Sequence, residues 1–301
     1  MQEFIQTVWR GYLHPDALTD WGLEGNINRA FISAVRIYGE NNRSTAKAQL
    51  EFVQNNFSYK FKGRNNNSMK HMNAYDLLCL DHLIPVLNIS WPLNIVVTKK
   101  SLDRYHKVHT LLMRLQLVKL TLCEAWLNAI KLRPSANRSE EIQDKLALPH
   151  IWYIYQQDIS HFLRVFVYYV STDVIKYLWK QFSDDTGGIN ASKMDDIYSF
   201  QSLHDTFTSR LVKRTFVEHP SLLSAINDVL SKAMHLSHLV QKVLLSRYDE
   251  MEGSILSAEM LKAEFEAFVV KKKLIIQILK ETCKGRGATF WATKLLCQLT
   301  V

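Results

Sequence analysis

The amino-acid sequence predicts an all-α, mainly helical protein, a bundle of long antiparallel helices with one short β-hairpin near residues 57–97. Only 10 glycines and 6 prolines occur in 301 residues, too few for an all-β fold, which needs a turn signal roughly every 8–12 residues. Hydrophobic residues make up 47% of the chain and charged residues 22%, which is globular composition. The hydrophobic residues recur at three- and four-residue spacing over long uninterrupted stretches, the period of helices with one buried face.

Residues 1–97 are predicted to hold the smaller elements. Apolar residues from Leu23 to Tyr38 share one helix face, and the run ends at Gly39. A second helix is expected to start near Ser44. Residues 57–61 alternate aromatic and polar side chains, the pattern of a strand, and the polar residues 63–68 favour a hairpin loop at its end. No other strand is identified.

Residues 98–301 are predicted to form the bundle of long helices. Thr98 caps a helix that continues to about Leu132 without glycine or proline, a length of roughly 50 Å at 1.5 Å per residue. Four more long helices are expected, near residues 149–183, 197–216, 222–248 and 258–284, before a short closing helix. Short connections between consecutive long helices favour antiparallel neighbours.

No residue pattern indicates catalysis or a bound metal. The four cysteines are at least 14 residues apart, so zinc-site spacing is missing. Two histidine pairs have i, i+3 spacing but lack an accompanying acid or cysteine, which favours buried or interfacial histidines: His106 with His109, and His235 with His238. The glycine-rich segments lack the Lys-Ser/Thr of a P-loop. The sequence therefore predicts no enzyme, no cofactor and no metal.

Membrane insertion and secretion are not expected either. The N-terminal ten residues contain Glu3 and no apolar core of a signal peptide, which favours an intracellular protein. The longest uncharged run, residues 82–98, is 17 residues long and contains Pro85 and Pro92. It is too short and too interrupted to span a bilayer.

The positive charge is concentrated in three stretches. The net charge is +8, but residues 60–70, 99–119 and 271–286 together carry +14, and the remainder carries −6. Such local basicity indicates patches that face an acidic partner, although exposed helix faces are often basic for no further reason.

A more specific signal comes from ordered sequence landmarks. Ile89-Ser90-Trp91-Pro92-Leu93, followed by Tyr105 and by Leu111-Leu112-Met113-Arg114-Leu115, resembles the signature of gamma-tubulin complex components, a V-x-W-P-L segment leading into a helix that reads Y-x-x-V-F-x-x-L-L-x-L. Two further segments resemble later helices of that family in the same order: Ile159-Ser160-His161-Phe162-Leu163 with Trp179, and Asp195-Asp196-Ile197 with Leu203-His204-Asp205.

The resemblance covers roughly residues 20–295 and implies a single C-terminal Grip domain over residues 1–301, with smaller helices and the hairpin in 1–97 and the long-helix bundle in 98–301. Leu87 replaces the family's usual tyrosine, and His109 replaces its phenylalanine. These departures indicate a divergent member of unassigned paralogue. The family's N-terminal domain has no counterpart, so a fragment or a shortened member is expected.

By resemblance, the chain is a scaffold that binds gamma-tubulin and other gamma-tubulin complex components, and templates microtubule nucleation at a cytoplasmic microtubule-organising centre, a centrosome or spindle pole body. Two alternatives remain. A basic helical nucleic-acid-binding protein would explain the charge, although no recognised RNA- or DNA-binding motif is present and no nucleic acid is expected as a partner. A helical enzyme would centre on His161 or His204.

Two groups of residues are singled out. The family motif implies structural roles, with Trp91 buried against the bundle, Pro92 keeping an extended approach to the helix cap, and His161 and His204 hydrogen-bonded in the core. Further motif positions are Leu93, Tyr105, Phe162 and Trp179. The predicted partner contacts are basic: Lys99, Lys100 and Arg104 first, because the helix dipole disfavours cations there, and then Lys60, Lys62, Arg64, Arg210, Lys213 and Arg214.

Overall fold

The computed structural model describes residues 23–41, 47–61, 80–81, 83–131, 150–187, 196–246, 258–284 and 290–300, and these residues are predominantly helical. This confirms the mainly α fold and its small sheet. In chain order the elements are α1 (Leu23–Asn41), α2 (Lys47–Asn56), β1 (Phe57–Phe61), β2 (Leu83–Leu87), α3 (Leu93–Val96), α4 (Lys99–Lys131), α5 (His150–Tyr168), a π-helical segment (Tyr169–Lys176), α6 (Tyr177–Asp185), α7 (Ile197–Arg214), α8 (Pro220–Ser246), α9 (Ala258–Lys284) and α10 (Phe290–Thr300).

The chain folds into two compact units. The first combines Met1–Arg114 with Val174–Val217, and the second combines Leu115–Asp173 with Glu218–Val301. Helix α4 supplies its N-terminal half to the first unit and its C-terminal half to the second. The expectation of a single domain over 1–301 stays a prediction.

In the first unit, a two-stranded sheet packs beside α1. Strands β1 and β2 are antiparallel, with Tyr59 opposite Pro85. The sequence identified only β1, because a proline argues against a strand. Here it is tolerated, since both backbone groups of Tyr59 bond to the side chain of Asn28 on α1: the Tyr59 N–H donates to Oδ1 at 2.7 Å, and the Asn28 amide donates to the Tyr59 carbonyl at 3.2 Å. A proline opposite Tyr59 therefore removes no bond of the ladder.

In the second unit, α8 and α9 pack against each other, and α9 also contacts α5 and α10. Two ion pairs fix the direction of the α8–α9 pair: Lys271 with Asp228 at 2.7 Å, and Lys232 with Glu264 at 3.3 Å. As residue numbers rise on α8 they fall on α9, so these two helices are antiparallel, as predicted. The core between the helices is aromatic and aliphatic, with fully buried Trp152, Phe162, Phe268, Ile275 and Leu295.

The predicted second long helix is interrupted by the π-helical segment between α5 and α6. Buried residues recur every four positions across it, at Phe166, Val170, Val174 and Leu178. In a regular α-helix each four-residue step drifts by about 40° around the axis. The wider i→i+5 turn offsets that drift. Among the described residues, no helix combines the length and apolarity needed to cross a bilayer.

Candidate partner-binding surface

The strongest candidate surface lies in the first unit, where α3 packs against α7 beside the start of α4. An open cleft of about 400 Å³ forms there. Its lining residues come from all three helices and from the residue before α4: Val96, Thr98, Lys100, Tyr198, Gln201, Ser202, His204 and Asp205. The cleft thus joins the predicted basic turn of α4 to polar and aromatic groups of α7.

Local hydrogen bonds fix where α4 begins. The Ser101 backbone N–H donates to Thr98 Oγ1 at 3.3 Å, and the Ser101 hydroxyl donates to the Thr98 carbonyl at 2.7 Å. Thr98 is therefore the helix cap that the sequence predicted. Lys99 and Lys100, the next two residues, are both exposed at the cleft end of the helix.

Arg104 differs from these two lysines, although the sequence grouped all three. Its side chain is only 12% exposed, and Nη1 donates to Asp205 Oδ1 at 2.6 Å and to Thr208 Oγ1 at 2.9 Å. The side chain of Lys100, in contrast, is 69% exposed and lies 3.9 Å from Asp205. Arg104 thus ties α4 to α7 and has little surface left for a partner, whereas Lys99 and Lys100 remain accessible.

His204 is a buried, hydrogen-bonded histidine, as predicted. Its Nε2 lies 3.0 Å from the hydroxyl of Tyr105 on α4. Burial is the main cause of a lowered pKa for His204, and burial raises the pKa of Tyr105 to about 12. Both groups are therefore neutral near pH 7 and form a structural bond between α4 and α7.

The same prediction is wrong for His161. This residue is half-buried on α5, and no hydrogen bond to its imidazole is found within the part of the chain that the structure describes. Phe162 beside it is fully buried, as a motif position in the core should be.

The prediction of a buried Trp91 is also wrong, since the residue is 77% exposed. Trp91 and Pro92 form a turn, joined by a cis peptide bond. Pro92 has φ −93° and ψ −2°, so the approach is a turn before α3 and not the extended segment that was expected. Within α3, Val96 faces the core while Leu93 is half-exposed. The short helix buries one face only, and the turn before it leaves the indole in solvent.

The remaining predicted residues are scattered. Lys60 on β1 and both Arg210 and Lys213 on α7 are exposed, while Lys62 and Arg64 lie outside the described residues. The Arg214 guanidinium sits 5.4 Å from the ring centre of Tyr177. Trp179 is exposed but contacts the rings of Phe182 and Phe207.

Sequence reasoning missed Tyr198, which is 67% exposed at the start of α7 and lines the cleft. No pattern marks it, because a tyrosine in a first helical turn is equally compatible with burial. It also missed the pair formed by Tyr59 and His109, whose hydroxyl and Nε2 are 2.9 Å apart. Burial, with a smaller contribution from His106, lowers the pKa of His109 to about 4.

Two of the three basic stretches prove partly neutralised. Arg114 is nearly buried against Asp81 at 2.6 Å, and Lys272 is paired with Asp158 at 2.7 Å. Lys271 and Arg104 also have the acidic partners described above. These two stretches are therefore less basic in the structure than their sequences indicate. Within the described ranges no cluster of histidine, cysteine, aspartate or glutamate could hold a metal ion.

Comparison with known proteins gives a family match over nearly the whole chain. Residues 18–299 match the family model described as gamma tubulin complex component C-terminal. Similar proteins include gamma-tubulin complex component 2 of Mus musculus, 21% identical over 51% of this chain and 16% of its own length. Gamma-tubulin complex component 4 of Homo sapiens is 24% identical over 52% of this chain and 21% of its length. Gamma-tubulin complex component 6 of Mus musculus is 24% identical over 53% and 8% respectively. The matched region is thus less than a quarter of each relative.

Proposed function

The chain belongs to the gamma-tubulin complex component family, and from that premise we propose that it is a scaffold subunit that binds gamma-tubulin and templates microtubule nucleation. The observation that carries the proposal is the extent of the family match, residues 18–299, which covers the described helices and strands except for the last residue of α10, Thr300. The relatives are named as components of the gamma-tubulin complex. We place the proposed partners, gamma-tubulin and other complex components, at a cytoplasmic microtubule-organising centre.

The fold suits a scaffold. Helix α4 is 33 residues long; the Arg104–Asp205 pair joins its N-terminal part to α7, and apolar residues are buried along its length, from Val108 to Ala129. Long helices held at several points keep a bound partner at a fixed orientation. No catalytic step is part of the proposal.

We assign gamma-tubulin contact to the surface around Lys99 and Lys100. Both are exposed in the first turn of α4, where the helix dipole disfavours cations, so helix stability does not explain them. An acidic partner does, because complementary charges accelerate association. Arg104 leaves the predicted set, while Lys60, Arg210 and Lys213 stay as secondary candidates.

The alternative of a nucleic-acid-binding protein loses support from the ion pairs. Among the described residues, five cations of the basic stretches have acidic protein partners: Lys100, Arg104, Arg114, Lys271 and Lys272. Phosphate binding depends on cations that are free to replace counterions along the backbone. The paired side chains would have to leave their carboxylates first.

The test compares wild type with the double variant Lys99→Glu/Lys100→Glu. Association with purified gamma-tubulin is followed by a surface-binding assay at low and physiological salt. We expect a slower association rate and a weaker salt dependence for the variant, with an unchanged melting temperature, since exposed charges contribute little to stability.

A matched control carries the same charge change elsewhere. Lys273→Glu/Lys280→Glu alters two exposed lysines of α9 in the second unit. Equal weakening by both variants would reveal a general effect of net charge and contradict the assigned surface. Absence of wild-type binding to gamma-tubulin, or tighter binding to duplex DNA or RNA at physiological salt, would contradict the proposed function itself.

A further inference from the structure

The unexpected exposure of Trp91 marks a second kind of surface beside the cleft. Trp91, Leu93 and Tyr198 are three large side chains left in solvent where α3 meets α7, with exposed fractions of 77%, 48% and 67%. Aromatic side chains of this size present roughly 150–250 Å² each. At these exposed fractions each of the two aromatic residues leaves roughly 100–200 Å² in water. Leu93 lies one helical turn before Val96 on α3, and Val96 lines the cleft together with Tyr198, so the three side chains surround one end of the cleft, and large exposed apolar groups of this kind commonly mark interaction sites.

This group, called here the tryptophan patch and defined as Trp91, Leu93 and Tyr198, does not serve the core. Val96 is the buried residue of α3 and already anchors that helix. The described residues give Trp91 no ring contact, in contrast to Trp179, whose indole packs on Phe207. Folding therefore gains little from the Trp91 side chain, and the hydrophobic effect favours its burial by something else.

The patch is held in a defined conformation. Around Pro92 the backbone makes successive turn bonds, from the Asn94 N–H to the Ser90 carbonyl at 3.4 Å, from the Ile95 N–H to the Pro92 carbonyl at 3.1 Å, and from the Val97 N–H to the Leu93 carbonyl at 2.9 Å. Helix α3 then packs on α7. A side chain presented on such a turn loses little backbone freedom when it binds, so more of its contact energy appears as affinity.

The positive charges next to the tryptophan patch favour an acidic partner over a second copy of this chain. Lys99 and Lys100 follow α3 after two intervening residues and are exposed, and Lys100 lines the same cleft as Tyr198. A symmetric dimer through this surface would bring the lysines of one copy towards those of the other, which like-charge repulsion disfavours. An acidic partner surface with an apolar centre has no such conflict.

We propose that the tryptophan patch is the energetic centre of the gamma-tubulin contact, with Lys99 and Lys100 at its rim, and that it packs on an apolar side chain of gamma-tubulin set among acidic residues. This inference rests on the proposed function and adds apolar packing by the tryptophan patch to the charged contacts of Lys99 and Lys100. Interfaces of this design place tryptophan and tyrosine at the centre and leave exposed charges outside.

The two classes of residue have different kinetic signatures, which the experiment uses. Removal of a packed aromatic anchor mainly raises the dissociation rate, whereas removal of a rim charge mainly lowers the association rate. We expect Trp91→Ala to weaken gamma-tubulin affinity by at least about 30-fold, the size of a hot-spot residue, through faster dissociation. Trp91→Phe should recover part of that loss, and Tyr198→Ala should act in the same direction as Trp91→Ala.

Trp179→Ala is the matched control, since it also removes an exposed indole, but one that packs beside Phe207, roughly two and a half helical turns along α7 from Tyr198. It should leave gamma-tubulin dissociation near the wild-type rate. All variants are measured in the full chain, with melting temperature and light-scattering mass recorded for each.

Four outcomes would overturn the inference. Wild-type dissociation from gamma-tubulin for Trp91→Ala, together with weakened association for the Lys99/Lys100 variant, would leave the proposed function standing without this anchor. Loss of folding in Trp91→Ala would mean that the indole serves the core. Conversion of a dimer to a monomer by Trp91→Ala would identify a second copy of the chain as the occupant. If wild type fails to bind gamma-tubulin, the proposed function and the inference fall together.

Discussion

Replacement of Arg104 by alanine separates a structural cation from the partner-facing lysines beside it. The Arg104 guanidinium donates through Nη1 to Asp205 Oδ1 at 2.6 Å, to the Asp205 carbonyl at 3.1 Å and to Thr208 Oγ1 at 2.9 Å. Alanine removes all three contacts between α4 and α7. We therefore expect Arg104→Ala to lower the free energy of unfolding.

The size of that loss depends on how Asp205 and Thr208 are solvated or bonded once the guanidinium is gone. Breaking a fully buried ion pair costs about 3–5 kcal/mol because a charge stays behind in a dry site. The Asp205 side chain is 47% exposed, so water can solvate it, and Thr208 still donates to the Asp205 carbonyl at 3.0 Å. What is lost is a set of hydrogen bonds to a charged group, and we expect about 2 kcal/mol.

Urea denaturation followed by circular dichroism measures this change, and Lys99→Ala is the control. Lys99 is exposed, so its replacement should alter the unfolding free energy by less than about 0.5 kcal/mol. Gamma-tubulin binding should show the reverse order: loss of Lys99 and Lys100 should weaken it more than Arg104→Ala does. An Arg104→Ala protein as stable as wild type would refute the structural role and return Arg104 to the partner surface.

Three further predictions concern other parts of the fold. Trp152→Ala should cost about 3–5 kcal/mol in urea denaturation because the indole is fully buried, and a loss below about 1 kcal/mol would contradict that burial. Gly187→Ala should lower stability by about 1 kcal/mol, because φ is 81° there, whereas Gly25→Ala on α1, where a new methyl meets nothing within 4 Å, should raise it slightly; equal melting shifts would contradict both. His109→Phe should reduce the loss of stability that occurs as pH falls below about 6.5. The folded-state pKa of His109 is about 4 against 6.5 without burial, so its contribution is complete above about pH 6.5 and is lost as pH falls towards 4, at most about 3 kcal/mol. Melting curves at several pH values test this, and identical slopes for variant and wild type would rule it out.

The long helices could be predicted because their information is local. From the apolar spacing and the scarcity of glycine and proline, the sequence predicts a helix over 98–132, and α4 occupies Lys99–Lys131. The Thr98 cap is equally local, as its bond reaches only three residues along the chain. Strand β2 was missed because the acceptance of Pro85 depends on Asn28, which lies on another element and satisfies the backbone of the paired residue.

Burial of single aromatic residues was less predictable, since it depends on which face of an irregular segment meets the core. Trp152 and Trp91 both stand among apolar neighbours in the sequence. Trp152 lies on a long helix whose period fixes the buried face, and its exposed fraction is 0%. Trp91 lies in a turn, where no period applies, and the direction of its side chain is set by the packing of α3 on α7.

The candidate site shows the same limit for charge. The helix-dipole argument treats Lys99, Lys100 and Arg104 alike, because it considers only their distance from the start of α4. Arg104 is nevertheless explained by Asp205, an acid 101 residues away in sequence. Lys100, one turn earlier, lies 3.9 Å from the same carboxylate but keeps 69% of its side chain exposed. A cation in an unfavourable position near a helix N-terminus therefore indicates that an acidic partner exists. It does not tell whether that acid belongs to the same chain or to another molecule. Once the internal acid is assigned, the cations that remain exposed are the ones whose placement points to another molecule, and in this chain they stand beside an aromatic group that the core also leaves uncovered.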